Sequence, residues 1–165
     1  MKPLRPPIPA VPWITEDGFF DPAHFPIDSV LKQAIGGDRH RFQSAVTLLN
    51  SMWNHDRKEA GVFLIGLLMT CDDDWEKRSE IVHALRDVQT EPCAKLLFGE
   101  LKRVKSTNAT RRYLKIVIDN LAGMPPSLVM SGFEELAGDN SFTHRMRSIF
   151  RAVLDHLEYR QRQGF

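Results

Sequence analysis

The chain has 165 residues, 42% hydrophobic and 26% charged, a composition that supports one domain's worth of buried core and excludes a disordered or low-complexity polypeptide. Its 22 Lys and Arg against 21 Asp and Glu leave a net charge of +1, too balanced to demand a polyanionic partner. Two cysteines exclude a disulfide framework, and no apolar run approaches the ~20 residues that span a bilayer. Together with a proline-rich rather than apolar start, these features lead us to expect a cytoplasmic chain with no membrane association and no cofactor.

Residues 1–26 read as an arm. Prolines at 3, 6, 7, 9 and 12 leave polyproline II as the only regular conformation open to the first stretch. Either Arg5, Pro6, Pro9 and Trp13 form a ligand for an aromatic groove on another protein, or Ile8, Val11 and Trp13 lay the arm along the end of the helical domain. Asp17-Gly18 marks a turn, and Trp13, Phe19, Phe20 and Phe25 need burial, so the segment is expected to cap an apolar edge.

Residues 27–165 read as helices. The first covers 27–35, with Asp28 as N-cap and Gly36-Gly37 as its stop. The second covers 41–53, with Phe42, Ala45, Leu48, Leu49 and Met52 on one face. The third, 57–70, is apolar nearly all round from Val62 to Met69 and is expected to be the most buried. Asp72, Asp73 and Asp74 then precede Trp75; they lack the alternation of a calcium loop and suit the positive end of a helix.

From 75 to 136 one pattern is written twice, thirty-three residues apart. Arg78 falls on Arg111, Ile81 on Leu114, Leu85 on Ile118, Val88 on Leu121 and Pro92 on Pro125, and Gly66, Gly99 and Gly132 keep the same step. Each copy holds a first helix with apolar residues at i, i+4 and i+7, a proline-containing turn, and a second helix. Cys93 takes the small-residue position that Ala60 fills one step earlier, a packing role. The last helix, 142–163, carries Met146, Ile149, Phe150, Val153, Leu154 and Leu157 on its apolar face and closes the stack.

On Arg78, Ala84, Leu85, Val88, Glu91, Pro92, Ala94, Leu96, Leu97 and Leu101, residues 77–101 resemble a HEAT repeat, and the likeness extends over about 41–159. The resemblance implies an all-α fold: a short right-handed α-solenoid of HEAT-like helical pairs, seven or eight helices over 27–165, preceded by the proline-rich arm. It also implies that Asp74 accompanies Arg78 in a structural ladder that recurs as Asp139 and Arg145, and that Arg111 is a structural arginine. HEAT proteins serve as scaffolds, adaptors and nucleic-acid binders, so the resemblance implies a shape and not an activity.

Function rests on what is left over. Residues 1–82 carry nine cations against twelve acids, and 83–165 thirteen against nine. Lys102, Arg103, Lys105, Arg111, Arg112 and Lys115 flank a Ser-Thr-Asn-Ala-Thr loop with no acid between Glu100 and Asp119, a candidate site for a polyanion or an acidic partner, extended by His144, Arg145, Arg147 and Arg151. The six histidines are scattered singly, and no nucleophile, metal-ligand or phosphate-loop motif is present. The expectation is a non-enzymatic adaptor that binds another protein through the face of its second-type helices. A phosphate-backbone binder through 102–115 is the alternative, and a small enzyme or immunity-type inhibitor a further one.

Overall fold

The computed structural model describes residues 11–36 and 38–164. The protein is all-helical at 71% helix, with eight α-helices and no strand among the described residues. The helices are α1 (Ile27–Gly36), α2 (Arg39–Asn54), α3 (Lys58–Thr70), α4 (Trp75–Ala84), α5 (Glu91–Arg103), α6 (Arg111–Ala122), α7 (Pro126–Gly138) and α8 (His144–Arg162), with a 3-10 turn, Leu85–Asp87, after α4. None of these is long and apolar enough to cross a membrane. The chain forms two compact units, Met1–Leu64 and Ile65–Phe165, divided within α3.

Local chemistry sets the helix ends. Asp38, Asp74, Thr90 and Thr143 each occupy an N-cap and accept a bond from the backbone N–H three residues on, satisfying a donor that the helix itself leaves free. Pro92 and Pro126 stand in first turns, where no amide donor is needed. Asp56 ends α2 with φ of 70°, the left-handed conformation that a short polar side chain tolerates.

In the first unit, α1 packs on α2 around Val30, Ala34, Phe42, Ala45, Val46 and Leu49, all buried. The expected turn forms at Asp17-Gly18: Gly18 takes φ of 85°, and Thr15 N–H donates to the Phe19 carbonyl at 2.8 Å. The aromatics are only partly covered. Phe25 stands edge-on to Trp13 and to Phe20, but Phe19 is 71% exposed; it directly follows the turn, and a hairpin with a single bridge, Ile14 to Phe20, is too short to fold every ring inward. Arg5, Pro6 and Pro9 lie outside the described residues. Trp13 is half-buried.

The second unit packs α4 on α6, α5 on α6 and α7, and α7 on α8. Buried positions recur at the thirty-three residue step: Ile81 with Leu114, Leu85 with Ile118, Val88 with Leu121. The Asn120 side-chain amide donates to the Val82 carbonyl at 2.6 Å, tying α6 to α4. Cys93 is fully buried in this core, and that burial pushes its thiol up to about 12, as befits an inert packing residue.

A buried ionic cluster crosses the same unit. Arg78 and Glu100 are 3% and 5% exposed, and Arg78 donates to Glu100 Oε2 through Nη2 at 2.8 Å and Nε at 3.3 Å. The Tyr113 hydroxyl donates to the same oxygen at 2.6 Å. Arg103 adds bonds to both carboxylate oxygens and reaches Asp73 at 3.1 Å, while Arg78 Nη1 donates to the carbonyls of Cys71 and Asp72. Burial alone would push the Glu100 carboxyl up, but the hydrogen bonds from Arg103, Tyr113 and Arg78 outweigh it and hold the group below the ordinary glutamate value.

Several expectations are corrected by this geometry. Arg78 is not paired with Asp74, whose carboxylate caps α4; a side chain used on its own helix terminus is not free to face the arginine. Asp139 accepts from the Ser141 N–H, so no ladder to Arg145 forms, and Arg111 is exposed rather than a buried counterpart of Arg78. Helix α3 is not sealed, since Val62 is 66% and Met69 69% exposed; an all-apolar sequence carries no polar stripe to reveal which side faces water. The glycine register has two meanings. A methyl group at Gly132 would overlap the Phe98 ring, whereas at Gly66 or Gly99 it would meet nothing.

Gly132→Ala is therefore expected to cost about 1 to 3 kcal/mol by overpacking, while Gly99→Ala gains up to about 1 kcal/mol of helix propensity, both read from urea unfolding. Glu100→Gln, leaving Arg78 buried without a counter-charge, is expected to cost about 3 to 5 kcal/mol. Because the folded Glu100 value is depressed, its stabilisation is complete above the ordinary 4.5 and is lost as pH falls from there through the folded value. The variant should show a flatter fall in stability below pH 4.5.

Candidate functional site

The second unit contains a trough of about 640 Å³ between α6 and α8. Helix α6 contributes Arg111, Leu114, Lys115 and Ile118, and α8 contributes Arg145, Met146, Ile149 and Val153, with Ala122 and His156 one further turn along each helix. The two sets have the i, i+4, i+7 spacing of single helix faces. Arg160, near the end of α8, donates to the carbonyls of Ala122 and Met124 at 2.8 and 3.1 Å. The C-terminal ends of the two helices are thereby held together and the helices run side by side in the same direction.

The trough exists because α8 packs on α7 and has no comparable packing on α6. Phe150 and Leu157 are fully buried, but Ile149, on the other flank of the same apolar stripe, is 36% exposed, and Met146, Val153 and Leu154 are half-buried. The expectation that this whole face closes the stack is thus corrected. Helix α7 covers the Phe150 and Leu157 flank, and one helix cannot cover both flanks of a stripe this wide.

The six predicted cations do not form one patch. Lys102 pairs with Glu135 at 2.8 Å, and Arg103 is drawn into the Glu100 cluster. Lys105 and Arg112 are exposed and stand outside the trough lining. Arg111 and Lys115 line it, joined by Arg145 from the predicted extension, and Lys115 pairs with Asp119 at 2.6 Å. That leaves Arg111 and Arg145 as trough cations with no acidic partner among the described residues. Of the loop hydroxyls expected to converge with them, Ser106 lines the trough, whereas Thr110 is turned inward: its hydroxyl donates to the Lys105 carbonyl at 2.5 Å and accepts from the Thr107 N–H at 2.9 Å. The apolar wall formed by Met146, Ile149 and Val153 reads from the sequence as core, since nothing in the apolar spacing separates a covered flank of the stripe from an open one.

A second hollow of about 500 Å³ lies between residues 83–89 and α6, lined by polar groups including His83, Arg86, Asp87 and Gln89. The α6–α8 trough differs in combining an apolar floor with cations at one end, a lining that can hold an amphipathic, negatively charged group.

An open trough makes a stability prediction. Phe150→Ala is expected to cost about 3 to 5 kcal/mol and Ile149→Ala about 1 kcal/mol, by chemical denaturation; equal losses would mean that the trough is closed in solution. No family model, no curated protein and no solved structure matches this chain.

Proposed function

We propose that the chain is a non-enzymatic protein-interaction adaptor, built in residues 65–165 as a right-handed stack of HEAT-like helical pairs, which engages a partner through the trough between α6 and α8. The stacking is supported by which helices meet: α4 lies on α6 and α5 on α7, so first-type helices neighbour first-type and second-type neighbour second-type, as in stacked hairpins. The observation that carries the interaction is Ile149, Met146 and Val153 left partly open beside two unpaired arginines. An apolar patch rimmed by charge is a common form of a protein-binding surface. The face now favoured belongs to first-type helices, not to the second-type face expected from the repeat pattern.

The nucleic-acid reading is weaker on two counts. Lys102, Arg103 and Lys115 are already paired with acids, which reduces the phosphate charge they can neutralise. Tyr113, the aromatic residue within 102–115, is buried and offers no stacking surface to a base.

The test is capture from native lysate, with and without nuclease, by the wild-type chain and by Ile149→Glu, whose circular dichroism should match wild type. A partner retained in both nuclease arms and lost with the variant is expected. A partner that disappears with nuclease, or binding of labelled DNA or RNA at low salt tighter than about 10 μM, would favour the alternative.

A further inference from the structure

We infer that the trough between α6 and α8 receives an amphipathic helix of the partner protein, running antiparallel to both, with acidic side chains of its last turn placed against Arg111 and Arg145. This rests on the adaptor reading and specifies its ligand.

Shape comes first. From Arg111 to Ala122 and from Arg145 to His156 the walls extend over twelve residues of each helix, roughly 16 Å or three helical turns. Two helices lying side by side, pinned at one end by Arg160, leave between them a furrow that matches the cylinder of a third helix. The trough is open rather than enclosed, so a small ligand would keep much of its surface in water, whereas a helix turns only one stripe inward. Met146, Ile149 and Val153 supply the accessible apolar contact for that stripe, above a floor formed by the buried Leu114 and Ile118.

Charge then sets polarity. Arg111 and Arg145 stand in the first turns of their helices and lack acidic partners among the described residues, while Lys115, one turn further in, is neutralised by Asp119. Among the lining residues the unpaired positive charge is therefore at one end, while Arg160 at the other is engaged by the Ala122 and Met124 carbonyls. The positive ends of the α6 and α8 backbones lie at that same end, reinforcing the arginines. A docking helix meets this best with its own negative C-terminal end and an acidic last turn, where guanidinium-carboxylate pairs give directed, paired hydrogen bonds.

The experiment uses three 15-residue helical peptides with one leucine stripe at i, i+3, i+4, i+7, i+8 and i+11. One carries two glutamates in the last turn, one carries them in the first turn, and one has lysines in the last turn. Binding to the full chain is read by calorimetry and by methyl NMR shifts at Ile118 and Ile149. The first peptide is expected to bind about tenfold more tightly than the second, the gain of one charge-assisted hydrogen bond, and the lysine peptide more weakly than either. Arg111→Gln with Arg145→Gln should erase the ranking while leaving residual binding, and Ile149→Glu should abolish binding of all three, read by calorimetry and by the Ile118 shift. Equal affinities, preference for the first-turn glutamates, or shifts that survive Ile149→Glu would overturn the inference. So would dodecanoate binding at the trough when no peptide binds. A lysate partner lost with Ile149→Glu but indifferent to the double arginine variant would overturn the acidic-helix inference while leaving the adaptor reading in place.

Discussion

One carboxylate holds the second unit in register. Glu100 sits in α5, takes bonds from Arg78 in α4 and Tyr113 in α6, and shares Arg103 with Asp73 in the segment before α4. A charge this deeply buried is tolerated only when its lone pairs are filled, so α4, α5 and α6 must adopt the single arrangement that fills them. The low value of the Glu100 carboxyl and the raised value of the Tyr113 hydroxyl, which burial and then the bond to Glu100 push well above the tyrosine norm, keep acceptor and donor in the required states. Apolar contacts are non-directional, whereas a hydrogen-bonded ionic cluster is satisfied in only one geometry.

That constraint reaches the candidate site through the geometry of α6. Tyr113 faces Glu100 and packs 5.3 Å from Trp75, ring to ring. Residues two positions away on an α-helix lie about 160° around the axis, so fixing Tyr113 inward places Arg111 and Lys115 on the far side, at the trough. The opposite wall is set separately. Phe133 and Phe142 pack on Phe150 and commit one flank of α8 to the α7 side, while Arg160 draws the end of α8 to the end of α6. The trough is the space between two independently satisfied sets of contacts, which is why its α8 wall, Met146, Ile149 and Val153, is left partly open.

Close approach of α5 and α7 completes the unit. The Phe98 ring occupies the space above Gly132 and stands edge-on to Phe133, linking the second-type helices to the aromatic group that seats α8. Of three glycines at one spacing, only this one is required by a neighbour. Periodicity in a sequence identifies equivalent positions; it does not show that equivalent positions do equivalent work.

The helices and their order were determined by the sequence alone, because they depend on local causes: apolar spacing near 3.6, prolines in first turns, and glycine at the Asp17-Gly18 turn; helix ends were less legible, since Asp28, expected as the N-cap of α1, lies within its first turn. The buried faces of α4 and α6 were equally legible, since the thirty-three residue repeat states them twice. Tertiary structure decided everything that depends on which groups are neighbours. It turned Arg78 toward Glu100 instead of Asp74, spent Lys102 and Arg103 on acids thirty residues away in the chain, and turned the Thr110 hydroxyl inward. It also left half of the α8 stripe open beside Arg111 and Arg145. A one-dimensional pattern records that a residue is apolar or charged, but a core residue and a wall residue of a groove look the same until the partner helix is in place, and a free cation looks like a paired one until the distant carboxylate arrives.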